Sequence, residues 1–321
     1  SSRRRHTRSS VESRGLGDVY KRQEQDDLPG GALDGSGDPE NGYLIRGGRM
    51  HEEHFVCYWD LLSNIPSYDD PGISVKDESF EFISRFVSHA QARLLNHGEK
   101  MDETTYWLSL KDQGEHLRLT YASEKSLDNL TIEDWFSVEF FQTNFWYLWT
   151  TMFAFQKWSG VAAMRRYMKR FIHLLDGMPR LGGIMRTKYN QYHSVVIPLQ
   201  RYLQKRGVSF DLQTQVIDIE FTFEGDNKTA TSIRAVNGQG KKLDIILDKN
   251  DYVFITNGSI TESTDKGSWR SPPVLKDKST SGSWMLWQKI ALKHEAFGKP
   301  GVFSDSIDLQ KWYSFTATVK G

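Results

Sequence analysis

The sequence predicts an α/β protein, on three observations. Short apolar "YLI" near the N-terminus lies inside the glycine-dense stretch "LPGGALDGSGDPENGYLIRGGRM". Apolar residues then recur at helical spacing through most of residues 73–206. After Gly207 the period shortens to that of β-strands joined by glycine and asparagine turns. A chain of 321 residues has room for one large domain or two modest ones, with a core that needs no disulfide or metal.

Residues 1–23 are basic and serine-rich without an apolar period, so they are expected to be a disordered or artefactual leader. The "GLGDVYKRQ" end resembles a translated sequencing adapter, and "SFTATVKG" at the other end stops as if within a strand. A fragment open at both ends is expected, with natural sequence beginning near Glu24. Residues 24–72 read as a partial ligand-binding segment and 73–206 as a mainly helical domain. Residues 207–265 read as strands returning to the first segment, and 266–321 as the start of a further segment.

In the first segment, Gly30-Gly31, Gly35, Gly37 and Gly47-Gly48 surround "YLI". Two glycine turns at one sheet edge let the backbone approach a ligand, commonly a phosphate. "HEEHFVCYWDLLSNIP" places Phe55, Tyr58, Trp59 and Leu62 at helical spacing until Pro66 ends the pattern. His51 and His54 stand three apart where zinc helices place them four apart, and no third ligand is evident in the sequence. No metal is therefore expected, and these residues read as the polar start of a helix.

"FEFISRFVSHAQARLL" reads as a helix, and Thr131 before "IEDWF" as an N-cap with Asp134 in the first turn. "FFQTNFWYLWTTMFAFQKW" is too polar-interrupted to span a membrane and reads as a core helix or the wall of an apolar pocket. "VAAMRRYMKRFIHLLDG" places Met164, Tyr167, Met168, Phe171, Ile172 and Leu175 on one face, opposite Arg165, Arg166, Lys169 and Arg170. A tyrosine on an apolar face ordinarily finds a buried partner for its hydroxyl, and the same setting is where a phenol acting as an acid must lie. "KYNQYHSVVIPLQRYLQKRGV" reads as a polar turn and a helix ended by Gly207. The strands follow, and "YVFIT" runs into Asn257-Gly258-Ser259 as a strand does when it ends on a ligand.

Charge and cysteine usage narrow the partners. Forty-one basic residues balance 41 acidic ones, which excludes the electrostatic footprint of a nucleic-acid binder. Cys57 is the single cysteine and fits a reducing, cytoplasmic setting. No apolar run is long enough for a membrane span, so any membrane contact is expected to be peripheral.

The blocks "GGALDGSGDPENGYLIRGGRM", "HFVCYWDLL", "FWYLWTTMFAF", "MRRYMKRFIHLLDGMP", "KYNQYHSVVIPL" and "ITNGSITES" resemble, in order from about Glu24 onward, the oleate hydratase family, also called the myosin-cross-reactive antigen proteins. The resemblance implies a Rossmann-like FAD-binding domain, incomplete here, with a helical substrate domain and a β-strand insertion. It implies addition of water to the cis-9 double bond of oleate-like fatty acids, giving 10-hydroxy acids with no net redox change. Arg46, Gly47, Gly48, Arg49 and Met50 would then lie against the flavin, with Glu24 on the adenosine ribose, Gly30 and Gly31 in the glycine loop, and Asn257, Gly258 and Ser259 also contacting FAD.

Two departures from the family pattern bear on these expectations. The family's G-x-G-x-x-G turn before the ribose-binding acid is missing, and Met50 stands where many relatives carry a glutamate credited with activating water. Tyr167 is the positional match for the family's proton donor. His51, Glu52 or Glu53 could act on water in place of the missing glutamate, as could backbone and flavin alone. The partners expected are an unsaturated fatty acid and a second copy of the chain. A flavin oxidoreductase of the amine oxidase or desaturase type, and an inactive truncated fragment, are the alternatives.

Overall fold

The computed structural model describes residues 21–24, 28–45, 50–90, 93–102, 105–256, 265, 267–268, 270–274, 282–311, 313, 315, 317 and 319. In chain order, strand β1 (Lys21–Glu24) precedes a hairpin of β2 (Gly35–Asp38) and β3 (Gly42–Ile45), then helices α1 (Val56–Leu62) and α2 (Val75–Arg85). A small hairpin of β4 (Leu95–Asn96) and β5 (Glu99–Lys100) leads to α3 (Leu110–Tyr121), α4 (Ile132–Trp135), α5 (Asn144–Phe153), α6 (Val161–Phe171) and α7 (Ile197–Gln204). Strands β6 (Ser209–Leu212), β7 (Thr214–Glu224), β8 (Asn227–Asn237) and β9 (Lys242–Ile246) follow, and then α8 (Gly282–Lys293). This mixture of helix and strand is α/β in composition. Among the described residues its parallel pairing is the two-stranded match of β1 to β6, Glu24 opposite Leu212, and no wider doubly wound sheet is present.

The chain divides into two compact units, Ser1–Arg49 with Asp60–Glu78 and Thr187–Gly321, and Met50–Trp59 with Ser79–Arg186. The division differs from the boundaries read in the sequence. Residues 50–59 go with the helical unit, and 187–206 leave it for the strand-bearing one.

The strand-bearing unit is built on the antiparallel meander β7-β8-β9, with α8 packed on β7 through Leu286 and Ile290 against Ile219. Lys293, at the end of α8, donates from Nζ to the Ile219 carbonyl at 2.7 Å and pairs with Asp218 at 2.8 Å and Glu220 at 3.0 Å. The predicted strand "SFDLQTQVIDIEFTFEG" is broken into β6 and β7 at Gln213, which takes a left-handed φ of 52°. "YVFIT" adopts no regular strand up to Thr256, and Asn257, Gly258 and Ser259 lie outside the described residues.

The helical unit folds around the aromatic run. Phe140, Phe145, Leu148 and Trp149 are buried with Leu119, Ile132, Val161 and Met164 in one cluster. Reciprocal capping bonds start α3 at Ser109 with Asp112 and α4 at Thr131 with Asp134, the latter as the sequence predicts. The helix expected across "FEFISRFVSHAQARLL" stops at Arg85, and beyond it the Ala90 N–H donates to the Arg180 carbonyl while Arg93 donates to that of Met178. Tertiary partners thus replace helical ones in that stretch. The helix expected across "VAAMRRYMKRFIHLLDG" is also shorter: α6 ends at Phe171 and a 3-10 segment runs from Ile172 to Arg180. Pro179 has no N–H with which to continue an α-helix, and the Tyr106 hydroxyl donates to the Leu175 carbonyl in the 3-10 segment that replaces it. Among the described residues no helix is long and apolar enough to cross a membrane.

Candidate functional site

The aromatic run forms core and pocket wall at once. One face of α5 buries Phe145, Leu148 and Trp149, and its last turn carries Trp149, Met152 and Phe153 into a small, partly open cavity. Phe171 at the end of α6 stacks on Phe153 at 5.0 Å and continues the wall. Leu174, Leu175 and Met178 from the 3-10 segment, with Leu181, Gly182, Ile184 and Met50, complete it. Every lining side chain is apolar. The 3-10 segment is held in place by the Gly182 N–H donating to the Gly177 carbonyl at 2.8 Å and by Leu181 in a left-handed conformation, φ 58°. Tyr106, which anchors it from outside, has its hydroxyl pushed up to about 12, first by burial and then by the charge of Asp176.

Met50 lines this cavity beside the residues that tie its segment to the helical unit. His51 forms an antiparallel bridge to Met185, whose N–H donates to the His51 carbonyl at 2.8 Å. His51 is buried against Tyr58 and Trp59, at 5.1 and 5.7 Å between ring centroids, and its Nε2 lies 3.4 Å from the Tyr58 hydroxyl. Burial pushes its imidazole down to about 4, so it is neutral at physiological pH, and burial likewise raises the Tyr58 hydroxyl.

Glu52 is buried, its side chain 5% exposed, and its carboxylate lies 2.6 Å from Nε2 of His173. His173 immediately precedes the cavity residue Leu174. His54 meets the same histidine edge-on, 4.6 Å between ring centroids, and one ligand atom from each of Glu52, His54 and His173 lies within 4.8 Å of the others. His173 thus joins Glu52 and His54, whereas His51, the histidine set beside His54 in the sequence, is not part of the group. Nothing around position 173 marks it, because it lies 121 residues from Glu52.

Tyr167 stands on α6 among Phe153, Phe155 and Phe171, at 5.2, 5.2 and 5.9 Å. It does not line the cavity, although Phe153 and Phe171 do, and it is 42% exposed. A phenol shielded from water was expected there. The described residues leave it half open, because Met164 and Met168, which point inward, take the buried positions of the helix. Tyr189 donates to Asp69 at 2.5 Å and is 40% exposed; it and Tyr192 belong to the strand-bearing unit.

The cofactor residues read from the sequence are only partly described. Glu24 is the last residue of β1, at the carboxyl end of a parallel strand. The Gly30 N–H donates to Asp34 Oδ1 at 2.7 Å, and a Cβ at Gly30 would meet that oxygen at 2.4 Å, so packing within the loop accounts for this glycine. Gly31 has φ of 60° with open space where a Cβ would stand. Arg46, Gly47, Gly48 and Arg49 lie outside the described residues.

The MCRA family profile matches residues 21–321. A protein of Streptococcus pyogenes serotype M49 (strain NZ131) named oleate hydratase is 40% identical over 297 residues, covering 91% of this chain and 50% of its own length. A linoleate hydratase of Lactiplantibacillus plantarum is 34% identical over 290 residues, covering 87% of this chain and 51% of its own. The chain spans about half the length of these curated relatives. A profile matched from Lys21 to the last residue, across the helices that build the cavity and the strands that follow them, shows that the chain belongs to the MCRA family.

Proposed function

We propose that this chain is part of a fatty-acid hydratase that adds water to the cis-9 double bond of oleate-like acids to give 10-hydroxy acids. The observation that carries this reading is the cavity: its lining is apolar and includes Met50, which directly follows the Arg-Gly-Gly-Arg segment. Such a space takes hydrocarbon and offers nothing to a polar substrate. The names of the two relatives support the same chemistry.

An isolated alkene is a weak base, and a free carbocation is unfavourable in an apolar pocket. Hydration therefore needs a proton donor at one carbon and a held water at the other. Tyr167 is the donor in this reading, which its packing against the cavity residues Phe153 and Phe171 supports. The methionine at position 50 cannot accept a proton. Glu52, two residues after Met50 and held by His173, is the group that takes a proton from water in this reading. FAD would be the cofactor, held, as the resemblance implies, by Glu24 at the ribose, by the Gly31 turn, and by Arg46, Gly47, Gly48, Arg49, Met50, Asn257, Gly258 and Ser259. When bound, the flavin supplies a planar polar wall to the site and takes no electrons from the substrate overall.

The test is made on a chain extended to the length of its relatives. Given oleate in ¹⁸O-labelled water, it should form a hydroxy acid carrying the label while consuming no oxidant. Label from dioxygen, or accumulating hydrogen peroxide, would assign the redox chemistry of an amine oxidase or desaturase instead. In the same chain Tyr167→Phe should lower turnover by roughly 100-fold or more with flavin retained. Near-normal turnover would remove Tyr167 from the chemistry and turn attention to Tyr189 and Tyr192.

A further inference from the structure

We propose that Glu52, His54 and His173 form a binding site for a divalent transition-metal ion of the zinc class. Two imidazole nitrogens and one carboxylate oxygen are a donor set that suits Zn²⁺, Co²⁺ or Fe²⁺ and is poor for Mg²⁺ or Ca²⁺, which take oxygen shells. The three ligand atoms converge to within 4.8 Å of one another from two segments far apart in sequence.

The carboxylate is the rigid member of the set. Glu52 is buried, and its backbone carbonyl accepts a hydrogen bond from the Trp59 indole at 2.8 Å, so the side chain is held at a fixed origin. His54 is fixed at the start of α1, its carbonyl accepting from the Val56 N–H at 2.7 Å. His173 opens the 3-10 segment that Tyr106 and Gly182 anchor. The two histidines are exposed and the glutamate is buried, so an ion among them has protein on one side and a free position toward solvent on the other, the arrangement of an open rather than a closed structural site.

The contact of 2.6 Å between Glu52 and His173 is that of a hydrogen bond, with a proton where the ion would stand. Ligands sharing one ion at about 2.0–2.2 Å each stand further apart than this. Ion binding therefore displaces that proton and moves the His173 ring outward, which its exposed edge permits. The buried carboxylate needs a positive or hydrogen-donating partner in either state, and the ion supplies a stronger one. In the hydration reading an ion here turns Glu52 from a direct proton acceptor into a metal ligand, so ion binding is tested on its own, without reference to turnover.

The 321-residue chain, stripped of metal with a chelator, is titrated with Co²⁺ and then with Zn²⁺. The expected result is saturable one-to-one Co²⁺ binding with visible ligand-field absorption, abolished by competing Zn²⁺. Glu52→Gln and His173→Gln each should weaken it at least tenfold, and the double variant His54→Gln/His173→Gln should remove it. His294→Gln, in the other unit, should leave it unchanged. X-ray absorption of the Zn²⁺-loaded parent chain should show imidazole and oxygen scatterers, a readout that stands even where a variant fails to fold. Absence of saturable binding by the parent chain would mean that Glu52 and His173 are a hydrogen-bonded pair only. Binding kept by the folded double variant, or a sulfur ligand from Cys57, would place the ion elsewhere. Any of these overturns the proposal.

Discussion

Replacing Gly177 by alanine tests whether the cavity wall is as tightly closed as its geometry indicates. A Cβ at position 177 would stand 2.8 Å from the Gly182 carbonyl oxygen and 3.1 Å from its carbonyl carbon and Cα. All three are backbone atoms and cannot turn aside like a side-chain tip. The 3-10 segment must instead move away from Gly182, losing the 2.8 Å bond from the Gly182 N–H to the Gly177 carbonyl. Overpacking of this kind costs about 1–3 kcal/mol, against which removing a glycine from the unfolded chain returns about 0.4–1 kcal/mol. The net expectation is a loss of about 1–2 kcal/mol. Gly114 is the matched control, an exposed glycine inside α3 with open space to 4 Å around the position a Cβ would take, where alanine should stabilise by about 0.5–1 kcal/mol. Neither position has a left-handed φ, so packing alone decides the sign. Melting followed by far-ultraviolet circular dichroism should separate the two variants by several degrees on either side of the parent, at roughly 3–5 °C per kcal/mol for a unit of this size. Because the displaced segment carries Leu174, Leu175 and Met178, Gly177→Ala should also weaken binding of a fluorescent fatty acid such as cis-parinarate, and Gly114→Ala should not. Equal melting temperatures for the two variants would refute the reasoning.

Two further outcomes follow from buried charge. Lys293→Met should destabilise the strand-bearing unit by about 1 kcal/mol, because the Ile219 carbonyl loses its donor while Asp218 and Glu220 keep Arg234 as the other of their two shared partners; chemical denaturation that left the midpoint unmoved would show the pairs to be screened. His116 packs against Phe136, Phe140 and Phe145 at 4.7–5.3 Å, and burial holds its imidazole below the ordinary value against the opposing pull of the Asp112 carbonyl and charge. A histidine kept neutral in the fold contributes fully above its unfolded pKa of about 6.5 and loses that contribution as the pH falls from there toward the folded value. The helical unit should therefore lose stability between pH 7 and 5, and His116→Phe should flatten that slope; equal slopes in the two chains would show that His116 does not set it.

Local chemistry was legible in the sequence wherever one short segment decides it. Thr131 and Asp134 cap each other across a single turn, so the start of α4 could be read directly. Gly207 ends the helix before β6, its left-handed φ of 86° being what only glycine takes without strain. The aromatic run was read as core or pocket wall, and it is both, because one helix has faces for each. Apolar periodicity alone carried α6 too far: Ile172 and Leu175 continue its pattern, but the proline at 179 and the close approach of Gly177 to Gly182 change the winding at Phe171. A residue's hydrophobic spacing does not say which backbone bonds lie ahead of it.

What could not be read is the identity of distant partners. The sequence shows that Pro179 cannot continue an α-helix and that Glu52 is one of four polar residues before a helix. It does not show that Tyr106, 69 residues away, anchors the segment at the Leu175 carbonyl, or that Glu52 is buried against His173, 121 residues away. Both contacts fall on the 3-10 segment that walls the cavity, so one misread winding concealed the anchor of the wall and the third member of the Glu52 cluster together. Had α6 continued as a regular helix to Leu175, His173 would have been set by the geometry of α6, two residues beyond Phe171. The break frees the segment to follow its own anchors, and through them it brings an imidazole to the buried carboxylate beside Met50.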